Sequence, residues 1–250
     1  RASYGGVVYV DADARYQSVG DTNVGSESID GGGAVIHGAL YSTVLISGCA
    51  YQNNTASGLG GGLYIEFPRR FDAVDSVFEG NLGTDGGGAV YFVGDSTATI
   101  LNCTFSKNRA TATSATGVVT QVNGGGLLIV PFSSTTGSLS VGISNSTFMG
   151  NSVSGSGAGV YVQSSTGTGP TLTVQGGAFQ ANTADVNGGG FHITSTTTIV
   201  RFADFSRNVA SNGAGVFASA TALSVSHTSM KLNTATESGG ALYMDDDASV

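Results

Sequence analysis

The chain has 250 residues, 40 of them Gly, only 3 Pro and no Trp, and a net charge of −8. That acidity argues against nucleic acid and anionic membranes as partners, and no run of eighteen apolar residues is present to span a bilayer. Hydrophobic residues at 40% and charged ones at 10% leave enough apolar surface for a continuous core.

From the N-terminus the chain repeats itself. Arg1 to Tyr4 runs straight into a Gly pair, with no initiator Met or signal-like segment, which reads as a processed chain or an excised piece. Taking the first Gly of each pair, the motif recurs at Gly5, Gly32, Gly60, Gly87, Gly124, Gly157, Gly188, Gly213 and Gly239, with Ala158 and Ala214 replacing the second Gly. Spacings of 25 to 28 residues dominate and stretch to 37, 33 and 31 where loops are inserted. A fixed period of this size marks a solenoid.

Each Gly pair opens a short strand of period two. Three residues on stand Val8, Val35, Leu63, Val90, Leu127, Val160, Phe191, Val216 and Leu242; five on stand Val10, His37, Ile65, Phe92, Ile129, Val162, Ile193, Ala218 and Met244. Both sets belong on one buried face. The position between them points outward and carries Tyr9, Ile36, Tyr64, Tyr91, Leu128, Tyr161, His192, Phe217 and Tyr243.

A second strand closes each copy with an aromatic and an Asn three residues later: Tyr51/Asn54, Phe78/Asn81, Phe105/Asn108, Phe148/Asn151, Phe179/Asn182, Phe205/Asn208 and the looser Met230/Asn233. Apolar residues five and seven before the aromatic and small ones two before it differ in parity, so the chain bends or bulges between them. Residues 11 to 31 fit poorly, with Tyr16 standing for the aromatic and no Asn at the right distance.

These patterns predict an all-β fold, a right-handed parallel β-helix of about eight to nine coils, three short strands to a coil, in one continuous domain over 1–250. Coils stack about 4.8 Å apart, so like residues form columns and the Asn residues a ladder of side-chain amides. Insertions near 110–122, 131–137 and 163–169 are Ser/Thr/Gly-rich surface loops, the last two leaving the same corner.

Several residues invite a chemical reading. Cys49 and Cys103 share a column two coils apart, about 9.6 Å and too far for a disulfide, so both are expected as buried free thiols. Sequons at Asn53, Asn102 and Asn145 are possible N-glycosylation sites, Asn102 and Asn145 at the bend. The outward residues Tyr9, Tyr64, Tyr91, Tyr161, His192, Phe217 and Tyr243 form a possible contact stripe, either stacking on one another or meeting a subunit or sugar chain. His37 (inward), His192 (outward) and His227 (at the bend) do not converge, and Asp245-Asp246-Asp247 reads as a solvated edge rather than a calcium site. Asp75, Asp204 and Arg201 are scattered, and Arg69-Arg70 has no carboxylate in its column, unlike the clustered groups of a polysaccharide lyase or hydrolase. No catalytic residue, cofactor or metal is expected.

The alternation of Gly-Gly-Ala-aliphatic with Phe-x-x-Asn resembles the repeats of the chlamydial polymorphic outer membrane proteins. It is carried best by Gly87-Gly88-Ala89-Val90 with Phe105-Ser106-Lys107-Asn108, and by Gly239-Gly240-Ala241-Leu242. The resemblance implies a β-helical passenger displayed outside the cell or at its surface as an adhesin, with a host or cell-surface protein or glycan as partner. The alternative is an extracellular filament subunit stacking end to end with itself, since no polar cap is visible at either end. A carbohydrate-active enzyme ranks last.

Overall fold

In the computed structural model the described residues are 2–10, 15–37, 43–112, 122–131, 139–163, 171–194, 196–245 and 249. They are all β, without a helix, and wind into a solenoid of about eight turns. Four parallel sheets run its length, of nine, nine, eight and eight strands, so a coil has four strands rather than three. In the coil after Gly87 these are Val90–Val93, Thr97–Leu101, Thr104–Ser106 and Arg109–Ala110. We refer to the sheets they belong to as the glycine-side, long, aromatic and short sheets. The short strand after the Asn escapes a periodicity search because two residues cannot show a period.

The core is a bundle of columns. Leu63, Val90 and Leu127 lie in register, as do Ile65, Phe92 and Ile129, all buried. Tyr51, Phe78, Phe105, Phe148, Phe179 and Phe205 form one stack with centroids 4.5 to 5.2 Å apart and rings within 15° of parallel. The distance between rings is the distance between coils, so offset stacking follows from the repeat itself.

The Asn residues form the expected ladder, and each buried one from Asn54 to Asn208 donates twice through its amide. Asn108 Oδ1 accepts from Asn81 N (3.0 Å) and Asn81 Nδ2 (2.9 Å). Its Nδ2 donates to Asn151 Oδ1 (3.0 Å) and to the Phe78 carbonyl (2.9 Å). The same bonds repeat along the column, so a buried amide has no unmet donor or acceptor. A second polar column lies nearby. Ser146 Oγ donates to the Ser144 carbonyl (2.9 Å) and accepts from Cys103 N (3.1 Å), and Ser76 Oγ does the same with Val74 and Cys49.

The bend required by the change of parity is a residue in the left-handed region. It is Gly20, Gly48, Asp75, Asn102, Asn145, Gly176, Phe202 and His227 in successive coils. One such residue turns the chain and resets which side chains face inward.

Two expectations are corrected here. In the run Gly31-Gly32-Gly33 the first Gly of the turn is Gly31, not Gly32: its φ is +54°, and a Cβ there would run into the Ala34 carbonyl. The strand Ala34–His37 is therefore shifted by one residue, with Ala34 and Ile36 inward beside Leu63 and Ile65. Val35 and His37 take outward positions, so His37 is not on an inward column and Ile36 is not on the outward one. In the first coil Tyr16 pairs with Val44 in the long sheet, and Asn23, not Tyr16, takes the aromatic's place beside Tyr51. Ser26 replaces the corner Asn, its N–H donating to Asn54 Oδ1 at 2.9 Å. The middle parts of the three insertions, 113–121, 132–137 and 164–169, lie outside the described residues.

Candidate functional site

The outward column of the glycine-side sheet runs Tyr9, Val35, Tyr64, Tyr91, Leu128, Tyr161, His192, Phe217 and Tyr243 in strict register. The strand's alternation sends these side chains away from the core. Tyr64 and Tyr91 stack at 5.3 Å with rings 1° from parallel. His37 reaches across from the neighbouring column to sit between Tyr9 (5.5 Å) and Tyr64 (5.7 Å), spanning the place where Val35 offers no ring. Its Nδ1 is 2.6 Å from Glu66 Oε2, in the next coil of its own column. Beyond Leu128 a second run stacks Tyr161 on His192 (4.6 Å), His192 on Phe217 (4.7 Å) and Phe217 on Tyr243 (5.2 Å).

The two runs differ in exposure. Tyr9 is 48% exposed, and Tyr64 and Tyr91 are half-buried. Tyr161, His192 and Phe217 retain only 7 to 8%. Electrostatics follow burial. Desolvation raises the Tyr64 and Tyr91 hydroxyls, with the Glu66 carboxylate and Asp30 pushing the same way. Burial alone lowers His192 to about 4. Its Nε2 meets Thr194 Oγ1 at 3.0 Å, while its buried Nδ1 has no partner. The first run thus offers apolar ring faces beside a carboxylate and an imidazole, a surface suited to contact. The second run is packed against itself.

The other sequence candidates are dispersed. Asn53, Asn102 and Asn145 are all exposed, each with φ near +50°: Asn102 and Asn145 at the bend, Asn53 at the corner between the aromatic and short sheets. Asn102 Nδ2 donates to Asp75 Oδ1 at 3.1 Å in the coil below. Cys49 and Cys103 are buried and free, with Ser76 between them, and burial pushes the Cys103 thiol up to about 11. Arg70 pairs with Asp72 on its own strand at 2.7 Å. Asp75 and Asp204 lie four coils apart, so the structure does not bring them together. Among the described residues no group of three or more His, Cys, Asp or Glu could hold a metal; Asp246 and Asp247 lie outside them. No helix is long and apolar enough to cross a membrane.

Sequence reasoning missed the His37–Glu66 contact, because the triple glycine hid the register that places the two side by side. It also treated the outward column as uniform.

The molecule is therefore a repeat β-solenoid whose most distinctive surface feature is a split column of aromatic rings. Residues 75–93 match the family model of the Chlamydia polymorphic membrane protein repeat. The matched stretch holds Phe78-Glu79-Gly80-Asn81 and Gly87-Gly88-Ala89-Val90, one aromatic corner and the glycine turn that follows it. No curated protein and no solved structure matches the chain.

Proposed function

We propose that this chain is a non-enzymatic repeat protein displayed at a cell surface or outside the cell, and that it adheres to a protein or glycan through Tyr9, His37, Tyr64 and Tyr91. One observation carries the reading. Tyr64 and Tyr91 are stacked and held in register by the sheet, His37 meets Tyr9 and Tyr64 at a tilt, and all four rings keep part of their surface open, Tyr9 nearly half. A rigid row of aromatic faces binds at low entropic cost, because stacking has already fixed the side chains. The Glu66 carboxylate beside His37 adds polar selectivity at the rim. The match to a repeat of Chlamydia membrane proteins supports display at a surface.

The test is the pair Tyr64→Ser and Tyr91→Ser in one protein. Its binding to a panel of immobilised cell-surface proteins and neutral and acidic glycans is compared with the parent. Loss of a parent interaction, with the far-UV spectrum and melting temperature kept, supports the reading. Undiminished binding by the folded variant rejects it.

A further inference from the structure

One corner of the solenoid departs from its own rule. The left-handed bend is made by Gly, Asp or Asn in six successive coils and then by Phe202 and His227. A bulky side chain in that region is strained, whereas Gly, Asn, Asp and His are tolerated there. Phe202 gains little burial in exchange: it is 57% exposed and stacks on His227 with centroids 5.0 Å apart. The coil does not need a phenylalanine at this position.

The opposite face of the Phe202 ring is open. Register places Gly176 on the rung before it and Asn145 on the rung before that. Gly176 contributes no side chain, so a notch two rungs wide, about 9.6 Å between Cα positions, separates Asn145 from Phe202. The Asn145 side chain leans into it, its Oδ1 lying 2.6 Å from where a Cβ on Gly176 would stand. A planar ring entering the notch would stack at close to one rung from each wall, within the range of stacked rings. Gln175 and Arg201 are register neighbours on one side of it, one residue before Gly176 and Phe202 respectively, and both are exposed.

One cation borders the notch: Arg201, in register with Gln175, while Arg207 and Lys231 lie at the far ends of the aromatic strand that begins with Asp204 and of its register neighbour, in a chain of net −8. All three cations are exposed, and none is in an ion pair among the described residues. Asp204 is already engaged, accepting from Gln180 Nε2 (3.0 Å) and Ser206 Oγ (3.3 Å).

We propose that the notch between Asn145 and Phe202 binds an anionic sugar unit, a uronic acid or sulfated residue of an acidic polysaccharide. The sugar's apolar C–H face lies on the Phe202 ring, its hydroxyls bond the Asn145 and Gln175 amides, and its carboxylate or sulfate meets Arg201. Arg207 and Lys231, across the aromatic strand, take charges on units further along the chain. The site is separate from the aromatic column and does not depend on it.

Protein made in a bacterial host, and so free of N-glycans, is titrated calorimetrically with short oligogalacturonates, heparin-derived oligosaccharides and a neutral cello-oligosaccharide. Binding of at least one anionic probe, about tenfold or more tighter than the neutral one, is expected. Phe202→Asn places a residue suited to the bend and should keep the melting temperature while weakening binding about tenfold or more. Gly176→Asn, which fills the notch, should do the same, and Arg201→Gln should also flatten the salt dependence. No binding of either anionic probe, or equal affinity in Phe202→Asn and the parent, overturns the proposal. Equal binding of a single-stranded oligonucleotide of similar charge, showing only polyanion attraction, overturns it too.

Discussion

Two columns of stacked rings run along this molecule, one inside and one outside, and geometry alone hardly separates them. The inner rings, from Tyr51 to Phe205, lie 4.5 to 5.2 Å apart. The outer ring pairs of its own column lie 4.6 to 5.3 Å apart. Both spacings are the coil spacing, so stacking is a consequence of repetition and says nothing about purpose. What differs is surroundings. The inner rings are sealed by the core and by the Asn amides that bond their carbonyls. The outer ones pass from half-open at Tyr9 to nearly closed at His192.

The inner column should give the largest effect when broken. Phe105→Ala removes a fully buried ring held between Phe78 and Phe148. Its neighbours are fixed by their own strands and cannot collapse into the space. A loss of about 4 kcal/mol is expected in urea unfolding, near the upper end for such truncations. A loss below about 1 kcal/mol would mean that the column is not the core.

The corner Asn comes next. Asn108→Ala deletes four hydrogen bonds at once and leaves Asn81 N and the Phe78 carbonyl without their buried partner. About 3 kcal/mol is expected, because unmet buried groups cost more than the net worth of the bonds. Asn108→Asp should lose a similar amount at neutral pH, since a carboxylate cannot donate to Asn151. Hydrogen exchange of the Asn81 amide would localise the damage.

Much of this inner architecture was legible, because identical residues at a fixed period can only be satisfied by stacking. Phe78, Phe105 and Phe148 declared the aromatic column, and Asn81, Asn108 and Asn151 the ladder. Legibility failed where glycine made the register degenerate. Gly31-Gly32-Gly33 offers two starting points, and only the left-handed backbone at Gly31 decides between them. A slip of one residue moves His37 from the core to Glu66. The first coil hid for a different reason: Asn23 and Ser26 satisfy the aromatic and Asn positions with neither residue type. The surface was legible in residue types alone. That Tyr9 is open and Tyr161 closed depends on neighbours that a column of letters does not show.

His192 sharpens the contrast within the outer column. Its pKa is lowered to about 4 by burial, from the usual 6.5. A group that is harder to protonate when folded stabilises the fold above its unfolded pKa. Stability should fall as the pH drops from about 6.5 to about 4, because the unfolded chain takes the proton first, and this contribution levels off below that. The whole span is worth about 3 kcal/mol at one pKa unit per 1.36 kcal/mol. His192→Phe keeps a ring between Tyr161 and Phe217 and removes the proton site. The stability difference between the two proteins, measured by urea unfolding at pH 7 and at pH 4, isolates the residue from the carboxylates that titrate in both. An equal loss in parent and variant would show that the imidazole is wetter than its packing implies.

The smallest effect on stability is expected at the open end. Tyr64→Ser gives up one stacking contact with Tyr91, an edge contact with His37 and a half-buried ring, and the strand beneath keeps all its ladder bonds to Ala34–His37 and Val90–Val93. About 1 kcal/mol is the most that such an outward ring should contribute. Phe217→Ser, at the same column position in the closed run, should cost two to three times as much, because its ring is 8% exposed and stacks on both sides. If the two cost the same, exposure is not what divides the column. If Tyr64→Ser is the costlier, the open run is part of the scaffold and the case for a contact surface there falls with it.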